Sequence, residues 1–372
     1  MKAERSNRGQ LTGRLPGLPA GWHREVARLE WRAEDGGDPG ALLEGFLAEH
    51  VRATTSVGLL VGAVGCARLG GLPEGRASPV PAVPELVAVA LEEGAGAAYA
   101  PASPQVGQWT ASWSDAEHAE AVELVRAAIA RGDVYQANVV GHRSAAHRND
   151  PRDLAMAVAA LPGATYGGVL TGDGWAVGCA SPEQLVRVAG DRITTVPIKG
   201  TLRVAPGSDE VLRASAKDRA EHVMIVDLER NDLSRVARTG TVEVEQLFGL
   251  QEWSGLWQAR STVAARLAPG VTTLEVLRAL LPGGSVTGAP KRAACALLAG
   301  LEPVGRGPSM GALGTVTVQG LDLGLTIRTV AADEDRVHLW AGGGITWGSD
   351  PEQEVDEAHA KAEPVLRALA IP

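Results

Sequence analysis

Between Val134 and Gly200 the chain carries three strand-like runs in close succession, "VYQANVV", "TYGGVLTGDGWAVGCAS" and "QLVRVAGDRITTVPIKG". Turn signals at Gly172-Asp173-Gly174 and Gly190-Asp191 divide them, as expected of antiparallel hairpins. The last third returns to the same pattern in "MGALGTVTV", "GLTIRTVAAD" and "RVHLWAGGGITW". Helical segments interleave with these runs. In "SDAEHAEAVELVRAAIARGD", Ser114 is placed to cap, Val122, Val125 and Ile129 make the apolar stripe, and Gly132 stops the helix. Further helices are expected around Asp209 to Ala237, around Thr272 to Leu281 and from Pro351 to Ala370. Strands and long helices in this order predict an α+β fold, a sheet-and-helix sandwich, with no repeat at a period of 20–50 residues.

With 372 residues, 45% of them hydrophobic and 21% charged, the chain can bury a sizeable core. A net charge of -9 argues against nucleic acid or an anionic membrane as partner. The three cysteines are too few and too scattered for a disulfide framework. The first residues lack an apolar signal core, and no apolar run reaches a membrane-spanning length, so a cytoplasmic protein is expected. Residues up to about Gly21 read as frayed. Short strands around the helix "PGALLEGFLAEHV" follow, then a Gly- and Pro-rich stretch from Gly70 to Gly107 with weak strand signals. A soft boundary before the Ser114 helix separates an N-terminal subdomain, 1–114, from a region spanning 115–372.

Several residues stand where structure alone does not call for them. Lys199 lies in "TTVPIKGT", an otherwise uncharged extended run, where a lysine is an edge charge, a salt-bridge partner or a reactive amine. Arg328 in "LTIRTV" is a similar cation in an apolar strand, meeting either the protein's own carboxylate or a ligand's. Asp218 and Glu221, spaced i, i+3, share one helical face, as do Glu354 and Glu357, with Lys361 one turn further on. These pairs are either solvated acidic faces or, set opposite each other, an all-oxygen site of the kind Mg²⁺ prefers. The glycines of "AGGGITWG" allow close backbone approach to a ligand, or form a plain bulge. No serine–histidine–aspartate order or dinucleotide fingerprint emerges.

Taken in order, "GDVYQANV", "ASPEQLV", "VPIKGT", "KDRAEHVMIVDLERNDLSRVA", "GGSVTGAPK", "IRT", "GGGI" and "SDPEQEVDEAHAKA" resemble the chorismate-utilising enzymes over about residues 115–372. The resemblance implies two packed β-sheets flanked by helices. It also implies Mg²⁺ held directly by Glu221 and Glu357, with Asp218 and Glu354 assisting through water, and the metal in turn holding the ring carboxylate of chorismate. Arg328 and the backbone at Gly342 and Gly344 would take the enolpyruvyl carboxylate, and Lys361 would add charge at the metal end. Thr201 and Gln136 complete the implied substrate-binding set.

Two positions sort the chemistry within this resemblance. The isochorismate and salicylate branch carries a lysine in place of Gln136, and an amide cannot act as the base that activates water. The anthranilate branch usually has alanine in place of Lys199, and histidine in place of Gln258. "PIKGT" is similar to the aminodeoxychorismate synthase branch, which implies Lys199 as nucleophile and Glu183 in "SPE" as general acid. Ammonia would come from a separate glutamine amidotransferase, since no glutaminase half is present in these residues. Amination of chorismate for p-aminobenzoate and folate, or for a specialised pathway, is therefore the expectation. An anthranilate-forming enzyme or another chorismate aminase, and a catalytically idle, chorismate-binding regulatory relative, are the alternatives.

Overall fold

The computed structural model describes residues 10–11, 15–18, 23–94, 99–253 and 255–370. Most of the segment expected to be frayed lies outside these residues, but Leu15 and Leu18 are buried in the core. Two antiparallel sheets, one of eleven strands and one of seven among the described residues, build an α+β fold with helices on their outer faces. Their facing sides interdigitate: Leu59, Val186 and Leu313 from the larger sheet share one core with Val140, Val177 and Trp340 from the smaller.

The larger sheet is continuous from the N-terminal strands into the later ones. Strand Thr55–Val61 pairs antiparallel with Ala312–Thr317, in register from Val57 opposite Val316 to Val61 opposite Ala312. Its other neighbour, Leu86–Glu93, is almost wholly buried. That burial explains its weak sequence signal, because a strand covered on both faces reads as a plain apolar run without alternation.

The Ser114 helix forms as the sequence predicts, over Asp115–Arg131. Ser114 accepts from the Glu117 amide in a capping box, and Gly132 ends the helix in the left-handed conformation. The segment expected as one helix near Asp209–Ala237 is two, Ser208–Ala214 and Ala216–Ser234. Ser215 divides them: its backbone is extended, and its hydroxyl accepts from the Asp218 amide as the cap of the second helix. The paired strands Glu243–Trp253 and Leu256–Arg266 were not legible in the sequence, because bulges near Gln246 and Phe248 interrupt their alternation. Helices Pro151–Ala159 and Lys291–Leu301 were likewise unread. No helix among the described residues is long and apolar enough to cross a membrane.

Candidate active site

Two short, neighbouring links carry the chain directly from one sheet to the other, and each holds a charged residue. Glu183 lies between Trp175–Ser181 of the smaller sheet and Gln184–Ala189 of the larger. Arg328 lies between Gly320–Leu325 of the larger and Thr329–Ala332 of the smaller. Arg328 is therefore not inside a strand, as its apolar neighbours suggested. It sits in a link with φ of 51°, a conformation rare outside glycine and one that clusters at functional sites.

A cavity of about 170 Å³ opens between these crossings. Ten of the twelve residues singled out in the sequence line it: Glu183, Lys199, Asp218, Glu221, Arg328, Gly342, Gly344, Glu354, Glu357 and Lys361. Gln136 stands just behind the wall. A Cβ on Gly344 would lie 2.1 Å from the Gln136 Nε2 and 3.1 Å from the Lys199 Nζ. Only glycine at 344 lets both side chains reach this point. The Gln136 amide is fully buried, and neither of its polar atoms has a hydrogen-bond partner among the described residues. Thr201 stands opposite Gln258 in the sheet, and its side chain lies outside the described residues.

Lys199 is carried by Ile198–Arg203, at the end of the larger sheet. The pairing with Leu256–Arg266 shifts register between Lys199 and Thr201, where Gly200 has a φ of 74°. This bulge turns the lysine into the cavity, where its Nζ donates to the Ser285 carbonyl at 3.1 Å. The residue is half-buried and lines the cavity. Burial pulls its pKa below the usual lysine range, against the pull of Glu221 and Glu183. Glu183 responds in the opposite sense. Burial raises its pKa, opposed by the hydroxyl of Ser285, which donates at 2.8 Å, and by the charge of Lys199. Burial also lowers the Arg328 guanidinium to about 10. An amine and a carboxyl displaced towards their neutral forms in one cavity are suited to nucleophile and acid.

The carboxylates arrive on two helices. Asp218 and Glu221 come from Ala216–Ser234, and Glu354 and Glu357 from Pro351–Ala368, capped by Asp350. Among the described residues, no three His, Cys, Asp or Glu side chains converge as a ready-made metal cage. The four carboxylates line the cavity as two pairs, an oxygen-only donor set of the kind a hard divalent cation takes, so the residues fit Mg²⁺. Lys361 bonds Glu357 at 2.6 Å and donates to the Gly342 carbonyl at 3.0 Å. The run of glycines is neither turn nor bulge: Gly342 to Gly344 continue the regular pairing of Arg336–Ile345 with Gln136–Ala146.

A model of the family described as chorismate binding enzyme matches residues 82–367. The chain belongs to the chorismate binding enzyme family. Its relatives include anthranilate synthase component 1 of Streptomyces coelicolor, 40% identical over 73% of this chain and 55% of that protein. Aminodeoxychorismate synthase component 1 of Klebsiella aerogenes is 36% identical over 70% of this chain and 59% of that protein. The chain thus spans a little over half the length of these curated relatives. In structure it is similar to anthranilate synthase component I from Streptococcus pneumoniae TIGR4, with a TM-score of 0.79 and 22% identity, covering 98% of this chain and 94% of that one. That likeness shows the shared fold.

Some residues in and around this cavity gave no sequence signal. His222 is fully buried, with its Nε2 2.8 Å from the Lys199 carbonyl and its Nδ1 3.0 Å from the Ser261 hydroxyl. It holds the backbone of the bulge that aims Lys199. Its position next to Glu221 on a helix with a weak apolar stripe gave no reason to single it out. Asn138, Met310 and Trp340 also line the cavity, and ordinary strand and link positions conceal them in the sequence.

Proposed function

We propose that the protein aminates chorismate at C4, giving 4-amino-4-deoxychorismate, with ammonia supplied by a separate glutamine amidotransferase. The observation that carries this reading is Lys199, turned into one cavity with Glu183 and bonded to the same Ser285. The neutral Lys199 amine adds to ring C2, both ring double bonds shift (C1=C2 to C1=C6 and C5=C6 to C4=C5), and the C4–O bond breaks as Glu183 gives its proton to the departing hydroxyl, which leaves as water. Ammonia then adds to C4, both double bonds shift back, and the C2–N bond breaks, returning the electron pair to Lys199, while the new C4 ammonium gives its extra proton to the Glu183 carboxylate. Product leaves with the amine para to the ring carboxylate.

Mg²⁺, held by Glu221 and Glu357 with Asp218 and Glu354 behind them, would supply positive charge for the ring carboxylate when bound. With Lys199 and Glu183 neutral, four carboxylates against two cations line the cavity, so a dianionic substrate needs such a counter-charge. Arg328 and Lys361 add fixed positive charge for the substrate's carboxylates. Formation of anthranilate is the second reading, favoured by the 40% identity to an anthranilate synthase component. The lysine at 199, where the resemblance implies alanine for that branch, weighs against it. Incubation with chorismate, Mg²⁺ and an ammonium salt, followed by chromatography and mass analysis, is expected to yield aminodeoxychorismate. Anthranilate or isochorismate as the product would overturn the proposal.

A further inference from the structure

The Gly284–Val286 turn carries the residue that Lys199 and Glu183 share: the Ser285 carbonyl accepts from Lys199, and its hydroxyl donates to Glu183. The backbone bonds of the turn itself are long. The Val286 amide lies 3.4 Å from the Gly283 carbonyl, and the Thr287 amide 3.3 Å from the Gly284 carbonyl. Firmer support comes from outside. The Asn138 amide donates to the Thr287 carbonyl at 2.8 Å, and one largely buried guanidinium reaches both segments. Arg306 donates through Nη1 to the Val286 carbonyl at 2.6 Å and through Nη2 to the Asn138 carbonyl at 2.5 Å. Its Nε and Nη2 also hold Glu302 in a fork, at 2.8 and 2.6 Å, and Glu302 accepts from the Val140 amide at 3.1 Å. Val286 and Asn138 line the cavity, and Arg306 grips both of them from behind.

We propose that Arg306 is a positioning residue for the reaction: by joining the Ser285 turn to the strand Gln136–Ala146, it fixes the anchor that aims Lys199 and Glu183. The inference rests on the roles given to those two residues above. A planar guanidinium presents its donors in fixed directions, so it sets the distance between two backbone carbonyls while gripping a carboxylate. A lysine ammonium is a single point and cannot span all three. A buried ion pair returns little net stability once its desolvation is counted, so geometry is what Arg306 supplies here. A loosened turn displaces the reacting groups and leaves Arg328, Lys361 and the carboxylates of the two helices where they were. The chemical step then slows while chorismate still binds.

The test compares kcat and KM for chorismate at saturating ammonium, together with melting points, for wild type, Arg306→Lys, Glu302→Gln and Lys199→Ala. Arg306→Lys is expected to lose about tenfold or more in kcat, with KM changed by less than about threefold. Glu302→Gln keeps Arg306 with its two bonds to the cavity walls, and keeps an oxygen for the Val140 amide. Its kcat should stay within about threefold of wild type even where its melting point falls. Should Arg306→Lys not fold, Arg306→Gln combined with Glu302→Gln leaves no charge buried alone, and it takes the place of Arg306→Lys with the same expectation. With an inactive Lys199→Ala, three results would overturn this inference alone: an unchanged kcat in Arg306→Lys, a rise in KM alone, or an equal kcat loss in Arg306→Lys and Glu302→Gln. A Lys199→Ala as active as wild type would overturn both it and the reading beneath it.

Discussion

Two glycines of one strand separate what the fold needs from what the site needs. A Cβ on Gly342 would stand 1.9 Å from the Val139 carbonyl, a backbone atom in the neighbouring strand. Gly342→Ala is therefore expected to cost about 1–3 kcal/mol, read as a lowered denaturation midpoint. At Gly344 the obstacle is the far end of Gln136. Gly344→Ala should barely change the midpoint but reduce amination by about a hundredfold or more, because the displaced amide moves into the space of Lys199. Glu183 gives a second prediction at this scale. Its pKa is raised in the folded state, so folding holds a proton that the unfolded chain releases. Wild-type stability should fall as pH rises from the unfolded value through the folded one. Glu183→Gln should then melt above wild type at alkaline pH, converge with it in acid, and be inactive. A lower melting point throughout would contradict the assigned shift. Lys199 was legible as an unusual residue because it interrupts an uncharged extended run, whereas Glu183 was named only through the resemblance that "SPE" carries. Their buried neighbour His222 was hidden in a helix whose charges look solvated, since burial of one face by a distant strand leaves no local pattern.

Elements decide how these side chains are aimed. The helix Ala216–Ser234 begins where Ser215 accepts from the Asp218 amide, so the cap and a proposed metal carboxylate belong to one turn. Ser215→Ala should cost about 1 kcal/mol and raise the Mg²⁺ concentration needed for half-maximal activity several-fold. An unchanged metal requirement would detach that turn from the metal. Helices with a cap at one end and an apolar stripe, such as Asp115–Arg131, were legible because their signals are local. The paired strands Glu243–Trp253 and Leu256–Arg266 were not, because their bulges are fixed by partners far away in sequence. The bulge at Gly200 is a case of the same kind: the sequence shows a glycine after a lysine, and only the pairing with Leu256–Arg266 shows which way the lysine turns.

At the scale of the molecule, the site is a product of two sheets meeting. Glu183 and Arg328 occupy the crossings, Lys199 comes from one sheet, and Gly344 with Gln136 from the other. Strand Thr55–Val61 completes the larger sheet beside Ala312–Thr317, so residues 115–372 produced alone should expose an apolar sheet edge and fail to melt cooperatively. A soluble, cooperative fragment would show that the N-terminal strands are dispensable. The α+β class was legible from the interleaving of runs and helices, but the continuity of the sheet through the N-terminal strands was not. The central claim is that the lysine turned into this cavity bonds to the substrate. Mixed with chorismate and Mg²⁺ but no ammonia, the intact protein should gain the mass of chorismate less one water. Digestion should place that mass on the peptide holding Lys199, and Lys199→Ala should show none. Wild-type protein that aminates chorismate yet never carries this mass, with Lys199→Ala equally active, would contradict it.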